Sequence, residues 1–317
     1  MALPRGCVAK ILSHGRIPMF FSLSPLTLHP TNLSLPPAHS FTLSASLSTS
    51  RTPSFHEPQY SWKPMCLYHS QGKCVKMDDP IHLETFNHDC SRELQVDITE
   101  LNKIRPQNLA YFLVLDLEGR VEILEFPVLM ISAKTLQVED IFHRFVRPSK
   151  MSERRINEYI ENKYGKLGVD KVWHDTAIPF TEVIQQFGVW LMRNKLWMGA
   201  ELNNAAFVTC GNWDLKTKVL QQCEVSKIKL PPYFMEWVNL KDLYLNFYNR
   251  RATGMITMMK ELQIPLMGRH HLGIDDTRNI ARVLQRMLLD GALIQVTARR
   301  NPNSLQKVNF LFKNRIG

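Results

Sequence analysis

The sequence predicts an α/β domain over residues 109–296, and three observations carry this prediction. The run Tyr111–Leu115 is uniformly apolar, which is typical of a strand that is buried on both faces of a sheet. A second short apolar run, Ala205–Cys210, has the same character and is followed by a Gly-Asn turn signal. Between residues 280 and 288, apolar side chains recur at helical spacing, so we expect a helix with one buried face that ends at Gly291.

The remaining elements of this domain follow from the same patterns. Residues 122–132 form an apolar run after a Gly119-Arg120 turn signal, which indicates a second strand. Residues 140–147 alternate between apolar and polar, which favours a third, antiparallel strand. Apolar residues between 183 and 191 recur at helical spacing. Together these elements predict a mixed sheet with flanking helices.

Residues 1–56 have a composition of their own. They contain no Asp or Glu, four Lys or Arg, and fifteen Ser or Thr. A segment of this kind does not pack as a domain and is typical of a disordered plastid transit peptide, with a mitochondrial presequence as the alternative. The formal net charge of +10 favours a polyanionic partner, and it falls to +6 when the four charges of this segment are subtracted. No run approaches the roughly 20 apolar residues of a membrane span, so we expect no membrane partner.

Residues 57–108 form an extension that is rich in Cys and His. Clustered Cys and His in a reducing compartment indicate zinc more often than disulfides. One interpretation is therefore a structural Zn²⁺ site; the other is an extension with incidental Cys and His. The candidate zinc ligands are Cys66, Cys74, His82 and Cys90.

Residues 297–317 are predicted to be a polar C-terminal tail, because no acidic residue follows Asp290. The tail either contacts phosphates or is simply solvated. Its basic residues are Arg299, Arg300, Lys307, Lys313 and Arg315.

Four acids and one histidine carry the functional prediction. Asp116 and Glu118 follow the first strand two residues apart, so they point to the same face, and burying both without cations would be very costly. Asp214 follows a second buried strand, and Asp276 lies in the first turn of the last helix. Four carboxylates in this order can hold two divalent ions for phosphoryl displacement, while His271 can take a proton from the attacking water.

Four strings make the chain recognisable over about residues 108–295. It resembles the Eri-like (histone-mRNA-exonuclease-like) branch of the DEDDh 3′–5′ exonucleases, and is most similar to plastid-targeted plant members. The strings are YFLVLDLEG, EILEFPVLMIS, FVTCGNWDLK and GRHHLGIDDTRNIARVLQRMLLDGA. The nucleic-acid-binding helical domain that animal relatives carry before the nuclease is not apparent.

This resemblance implies a ribonuclease-H-like (DnaQ-like exonuclease) fold with a five-stranded mixed sheet, two Mg²⁺ or Mn²⁺ ions, and hydrolysis of RNA from the 3′ end to 5′-nucleoside monophosphates. It implies that His271 is the general base, with His270 as the alternative register. Leu117, Gly119 and His271 are expected nearest to the scissile nucleotide. The implied metal ligands are Asp116, Glu118, Asp214 and Asp276.

The predicted function is therefore a plastid 3′–5′ exoribonuclease that trims structured RNAs such as rRNA 3′ ends. Two alternatives stay open at this point. One is a DNA-directed 3′–5′ exonuclease, because no residue reveals a contact to the 2′-hydroxyl that distinguishes RNA from DNA. The other is a catalytically silent RNA-binding scaffold.

Overall fold

A mixed sheet of eight strands organises the residues described by the computed structural model, which are 63–89, 94–102, 104–199 and 201–316. Residues 1–56 and Cys90 lie outside these ranges. The order across the sheet is β4-β3-β2-β1-β5-β6-β7-β8. In chain order, the strands are β1 (Tyr111–Leu115), β2 (Glu125–Ser132), β3 (Val138–Arg147), β4 (Ile178–Pro179), β5 (Ala205–Thr209), β6 (Glu236–Asn239), β7 (Ala298–Asn301) and β8 (Ser304–Phe310).

The helices lie between and after the strands. None in the described part of the chain is long and apolar enough to cross a membrane. They are α1 (Leu67–Ser70), α2 (Pro80–Thr85), α3 (Ile98–Leu101), α4 (Glu153–Tyr164), α5 (Asp170–Thr176), α6 (Phe180–Arg193), α7 (Val219–Val225), α8 (Leu240–Tyr248), α9 (Met255–Glu261) and α10 (Gly273–Leu289).

The central strand β1 is buried on both faces, as its apolar run predicts. It pairs antiparallel with β2 and parallel with β5. Phe112 and Val114 face the core layer formed with α8, α9 and α10, whereas Leu113 and Leu115 face the layer formed with α6 and α7. Because successive side chains of a strand point to opposite faces, this one strand contributes to both cores.

The two predicted helices are confirmed. In α6, Val183, Phe187 and Leu191 are fully buried. In α10, the face from Ile280 to Leu288 is buried, and the chain leaves the helix at Gly291 with a φ of +92°. A glycine favours that left-handed conformation because it has no Cβ.

The prediction of a polar tail over residues 297–317 is wrong, and so is the count of five strands. Residues 298–310 form the hairpin β7–β8, which extends the sheet beyond β6. Arg300 is buried and its guanidinium donates to the carbonyls of Leu215 and Lys216, while Arg299 pairs with Glu236 at the surface. These long-range partners stabilise a basic segment that has no apolar pattern of its own.

Residues 63–89, which we call the N-terminal segment, contain the short helices α1 and α2. Their N-caps are Cys66 and Asp79, whose side chains accept backbone hydrogen bonds. The segment packs against β3 and α5, and Tyr68 donates to Asp175 at 2.5 Å. The N-terminal segment is thus attached to the α/β domain.

Candidate active site

Four predicted acids converge at one edge of the sheet. β1 and β5 are parallel neighbours, so the residues that follow them emerge side by side. Asp116 follows β1, Glu118 lies two residues further, and Asp214 begins a π turn, Asp214–Lys218, after β5. Asp276 joins them from the first turn of α10. All four line one cavity of about 310 Å³.

Short contacts hold these carboxylates in place. Asp116, Glu118 and Asp276 each offer an oxygen within 4.8 Å of the others. Asp214 accepts from the backbone amide of Leu117 at 3.0 Å, and Asp276 accepts from the amide of His271 at 2.8 Å. The backbone of two predicted site residues therefore orients two of the acids.

The pKa values of all four carboxylates in this cluster are raised. Burial, with the charges of Asp214, Glu118 and Asp276, raises the pKa of Asp116 well above its ordinary value. Burial also raises the pKa of Glu118 to about 7, although the ammonium of Lys163 at 2.7 Å lowers it. The pKa of Asp214 is raised to about 6 and that of Asp276 is also raised, in both cases chiefly by burial. Such a set favours divalent cations.

Both histidines of the predicted motif reach the cavity. Their rings stack with centroids 3.9 Å apart, and Nδ1 of His270 lies 3.0 and 3.1 Å from the two carboxylate oxygens of Asp276. His271 has a φ of +72°. Burial and His270 lower the pKa of His271, Asp276 opposes this, and Lys163 adds to it. The assignment of the base to His271 rather than His270 stays a prediction.

Of the other two residues predicted to contact the nucleotide, one lines the cavity and the other does not. Leu117 lines the cavity and its amide holds Asp214. Gly119 is instead a turn residue with a φ of +119°, and a Cβ there would lie 2.1 Å from the carbonyl oxygen of Glu122. Its backbone conformation explains Gly119 without a nucleotide contact. Trp213 also lines the cavity and is 46% exposed.

Glu125 is the important residue that sequence reasoning missed. Its side chain is fully buried in β2, where it accepts from the amides of Gly273 and Ile274 at 2.9 and 2.8 Å. Burial would raise its pKa, but His143 at 3.0 Å and these amides outweigh burial and lower it. Glu125 thus holds the first turn of α10, which carries Asp276. The sequence did contain one signal for this residue, because Glu125 is a charged side chain at the start of an otherwise apolar run.

The predicted zinc set is partly assembled. Cys66, Cys74 and His82 come together, and the fourth member of the cluster is His88. The predicted fourth ligand, Cys90, lies outside the described residues.

Known proteins resemble this chain over its central part. The RNase_T exonuclease family matches residues 112–284. An Arabidopsis thaliana protein named "Uncharacterized exonuclease domain-containing protein" is 64% identical over 258 residues, which cover 80% of this chain and 77% of that protein. Human "3'-5' exoribonuclease 1" is 32% identical over 191 residues, which cover 59% of this chain and 52% of the relative. The alignment thus spans about half the length of that human protein.

Solved structures agree with this match. The nuclease domain of 3'hExo, described as a DEDDh family member bound to rAMP, has a TM-score of 0.53 at 28% identity. It covers 62% of this chain and 100% of that one. A structure of a 3'-exonuclease that recognises the 3'-end of the histone mRNA stem-loop has a TM-score of 0.55 at 25% identity, covering 67% and 94%. These findings confirm the ribonuclease-H-like fold, and the chain belongs to the exonuclease family, in its Eri-like DEDDh 3′–5′ branch.

Proposed function

We propose that this protein is a 3′–5′ exoribonuclease that uses two divalent ions, Mg²⁺ or Mn²⁺, to release 5′-nucleoside monophosphates from the 3′ end of RNA. The observation that carries the proposal is the convergence of four carboxylates and two histidines in one cavity. The names of the relatives, including 3'-5' exoribonuclease 1, support the direction and the RNA substrate.

The donor set fits divalent metals of this type. Mg²⁺ and Mn²⁺ prefer carboxylate oxygens, and three of the acids offer oxygens within 4.8 Å of one another. Burial raises the pKa values of Asp116, Glu118 and Asp214, and the neighbouring carboxylates raise that of Asp116 further. When bound, a pair of such ions stabilises the charge on the attacking and leaving oxygens of an in-line displacement.

Neighbouring groups of the protein position the proposed metal ligands. The amide of Leu117 orients Asp214, and the amide of His271 orients Asp276. Lys163 lies 2.7 Å from Glu118 and keeps that carboxylate partly ionised by lowering its pKa. These contacts preorganise the acids before substrate arrives, so little reorganisation is needed during the reaction.

His271 is the proposed general base. Burial, His270 and Lys163 lower its pKa, so its ring is neutral at pH 7 and can accept a proton from water. His270 is a weaker candidate, since its Nδ1 contacts the oxygens of Asp276 that a metal would use.

Trp213 is the proposed platform for a base of the RNA. Its indole is 46% exposed at the cavity, and the ammonium of Lys218 lies 5.4 Å from its ring centroid. Stacking on an aromatic ring contributes about 1–3 kcal/mol per base and tolerates any sequence. We therefore expect Trp213→Ala to weaken RNA binding, measured as a higher KM, more than it lowers kcat.

The decisive experiment follows a structured RNA labelled at either end, with Mg²⁺ or with EDTA. We expect the 3′ label to appear at once as a mononucleotide, whereas the 5′-labelled strand shortens progressively, and both changes should stop in EDTA. Release from the 5′ end, or digestion that persists in EDTA, would contradict the proposal. A matched DNA overhang tests the DNA-directed alternative in the same assay.

Two variants connect the activity to the cavity. Asp116→Asn should abolish trimming in Mg²⁺, and His271→Ala should slow it at least about 100-fold. The exposed His174 lies outside the cavity, so His174→Ala is the matched control and should keep wild-type activity. Retained trimming by purified Asp116→Asn would contradict the assignment. The activity would then come from a contaminating nuclease, and the protein itself could be a silent scaffold.

We further propose that the enzyme acts in plastids, where it trims structured RNAs such as rRNA 3′ ends. The acid-free, hydroxyl-rich composition of residues 1–56 supports this location. A fluorescent fusion of these residues should co-localise with chlorophyll, and mapping of plastid rRNA 3′ ends in plants that lack the enzyme should reveal extensions. A mitochondrial signal would favour the alternative compartment.

A further inference from the structure

A second cluster of metal-binding side chains lies outside the acid site, in the N-terminal segment. Each of its four members offers one ligand atom, and these atoms lie within 4.8 Å of one another. Sγ of Cys74 is 3.5 Å from Nε2 of His82 and 3.7 Å from Nε2 of His88, and the two nitrogens are 3.0 Å apart. The fourth member is Cys66, whose side chain is buried.

These distances match the edges of a tetrahedral zinc site. With Zn–S near 2.3 Å and Zn–N near 2.0–2.1 Å, a tetrahedron has S···N edges of about 3.6 Å and N···N edges of about 3.3 Å. Two cysteines and two histidines are also a common ligand set for structural zinc, whereas Mg²⁺ prefers oxygen. The ligand chemistry and the geometry therefore indicate the same ion.

The surrounding backbone prepares both sulfurs for a metal. The amide of His69 donates to Sγ of Cys66, and the amide of Lys76 donates to Sγ of Cys74, each at 3.4 Å. Hydrogen bonds of this kind orient and stabilise thiolate ligands. Both cysteines are free rather than disulfide-bonded.

The N-terminal segment also needs a cross-link, because it lacks a core of its own. Of its described residues, only Met65, Cys66 and Gln71 are buried. Its helices have four and six residues, which is too short to be stable alone in water. Small units of this kind usually depend on a metal or a disulfide.

The segment contacts the active-site scaffold through one histidine. Oγ of Ser70 and Nε2 of Gln71 lie 2.7 and 3.0 Å from Nδ1 of His143, and Oε1 of Gln71 accepts from the amide of Phe145 at 3.0 Å. The other ring nitrogen of His143 lies 3.0 Å from the carboxylate of Glu125. The segment therefore fixes the orientation of the His143 ring.

Glu125 continues this network to the acid site. Its two oxygens accept from the amides of Gly273 and Ile274, in the turn of α10 that carries Asp276. Space at this turn is limited, because a Cβ on Gly273 would lie 3.0 Å from Cγ of Glu118. A change in the position of Glu125 would therefore alter the spacing between Glu118 and Asp276.

We propose that one structural zinc ion binds the N-terminal segment and thereby holds Gln71 as a positioning residue for the first turn of α10. The zinc site stands on its own, whereas the positioning role rests on the proposed nuclease function. The zinc ligands are Cys66, Cys74, His82 and His88.

Metal analysis of the full chain tests the zinc site without any nuclease assay. Protein purified from zinc-supplied cells should contain one zinc per chain, and cobalt in its place should give the visible absorption of a tetrahedral thiolate site. Cys74→Ser and His88→Ala should each release the zinc. Substoichiometric zinc in the wild type would overturn the proposal, and this readout does not depend on whether any variant folds.

Cys90 provides the matched control, since sequence reasoning alone favours it as the fourth ligand. Cys90→Ser should retain a full equivalent of zinc, while His88→Ala should not. The reverse result would overturn the ligand set drawn from the structure.

Gln71→Leu tests the positioning role. We expect this variant to keep its zinc but to need 10- to 100-fold more Mg²⁺ for half-maximal activity, the usual size of such indirect effects. Tyr68→Phe, which removes a contact of the same segment to Asp175, is the control and should leave the Mg²⁺ requirement unchanged. An unchanged Mg²⁺ requirement in Gln71→Leu would refute the positioning role. If the wild type proved inactive, the proposed function would fail while the zinc measurement still stood.

Discussion

Replacing Glu118 by Gln should make the metal-free protein more stable at pH 8, although it removes a metal ligand. Burial raises the pKa of Glu118 from 4.5 to about 7, and this value already includes the attraction of Lys163. Since a pKa difference of one corresponds to about 1.4 kcal/mol, ionising Glu118 costs the folded state about 3 kcal/mol at pH 8. The side chain is 14% exposed, so relaxation and solvent reduce the expected gain to about 1–3 kcal/mol.

The sign of this pH dependence follows from linkage. The folded state binds the Glu118 proton more tightly than the unfolded state, so the associated stability is fully present below about pH 4.5 and is lost as the pH rises through about 7. Glu118→Gln removes that loss. The two proteins should therefore have nearly equal stability at about pH 4 and differ at pH 8, and saturating Mg²⁺ should stabilise the wild type more than the variant.

Urea denaturation in EDTA and in Mg²⁺, at both pH values, measures these differences. Glu122→Gln is the control with the opposite sign. Burial would raise the pKa of Glu122, but the amides of Ser149 and Lys150 outweigh burial and lower it, so this variant should be less stable than the wild type at pH 8. If Glu118→Gln were less stable than the wild type in EDTA at pH 8, the reasoning from the cost of burying the Glu118 charge would be wrong.

Three further predictions concern the turn, the scaffold and the base. Gly119→Ala should lower the free energy of unfolding by at least about 3 kcal/mol, because its φ of +119° and the 2.1 Å approach to the Glu122 carbonyl exclude a Cβ; a urea titration that shows less than about 1 kcal/mol would contradict this. Glu125→Gln should cost about 2–3 kcal/mol in the same measurement, since an amide NH₂ would face a backbone N–H donor. His271→Ala should lower kcat about 10²- to 10⁴-fold and His270→Ala less, and the opposite ranking would assign the base to His270.

Predictions succeeded where a short stretch of sequence determines the element, and failed where contacts between distant residues determine it. The strand before Asp116 and the helix after Asp276 have strong patterns of their own, and both are confirmed. The hairpin β7–β8 has no such pattern, because the buried Arg300 looks like a surface residue until the carbonyls that it contacts are known. Sequence reasoning therefore predicted a tail where the structure has two strands.

The same distinction applies to the two proposed metal sites. The spacing of the acids and of His271 from Asp276 follows from the chain itself, because each residue is tied to the end of a recognisable element. The proposed zinc ligands depend on how a loop folds back, so sequence reasoning favoured Cys90, whereas the structure brings His88 to Cys74.

By itself, the sequence determined the mixed α/β fold, the family, and the four acids that the structure brings together in one cavity, since short-range patterns encode strands, helix starts and the residues beside them. Only the tertiary structure decided the partners of those acids: the amide of Leu117 on Asp214, Lys163 on Glu118, and Glu125 beneath the first turn of α10. It also brought His88 to Cys74. These contacts join residues that are distant in the chain or set by loop conformation, and only the folded backbone determines which of them meet.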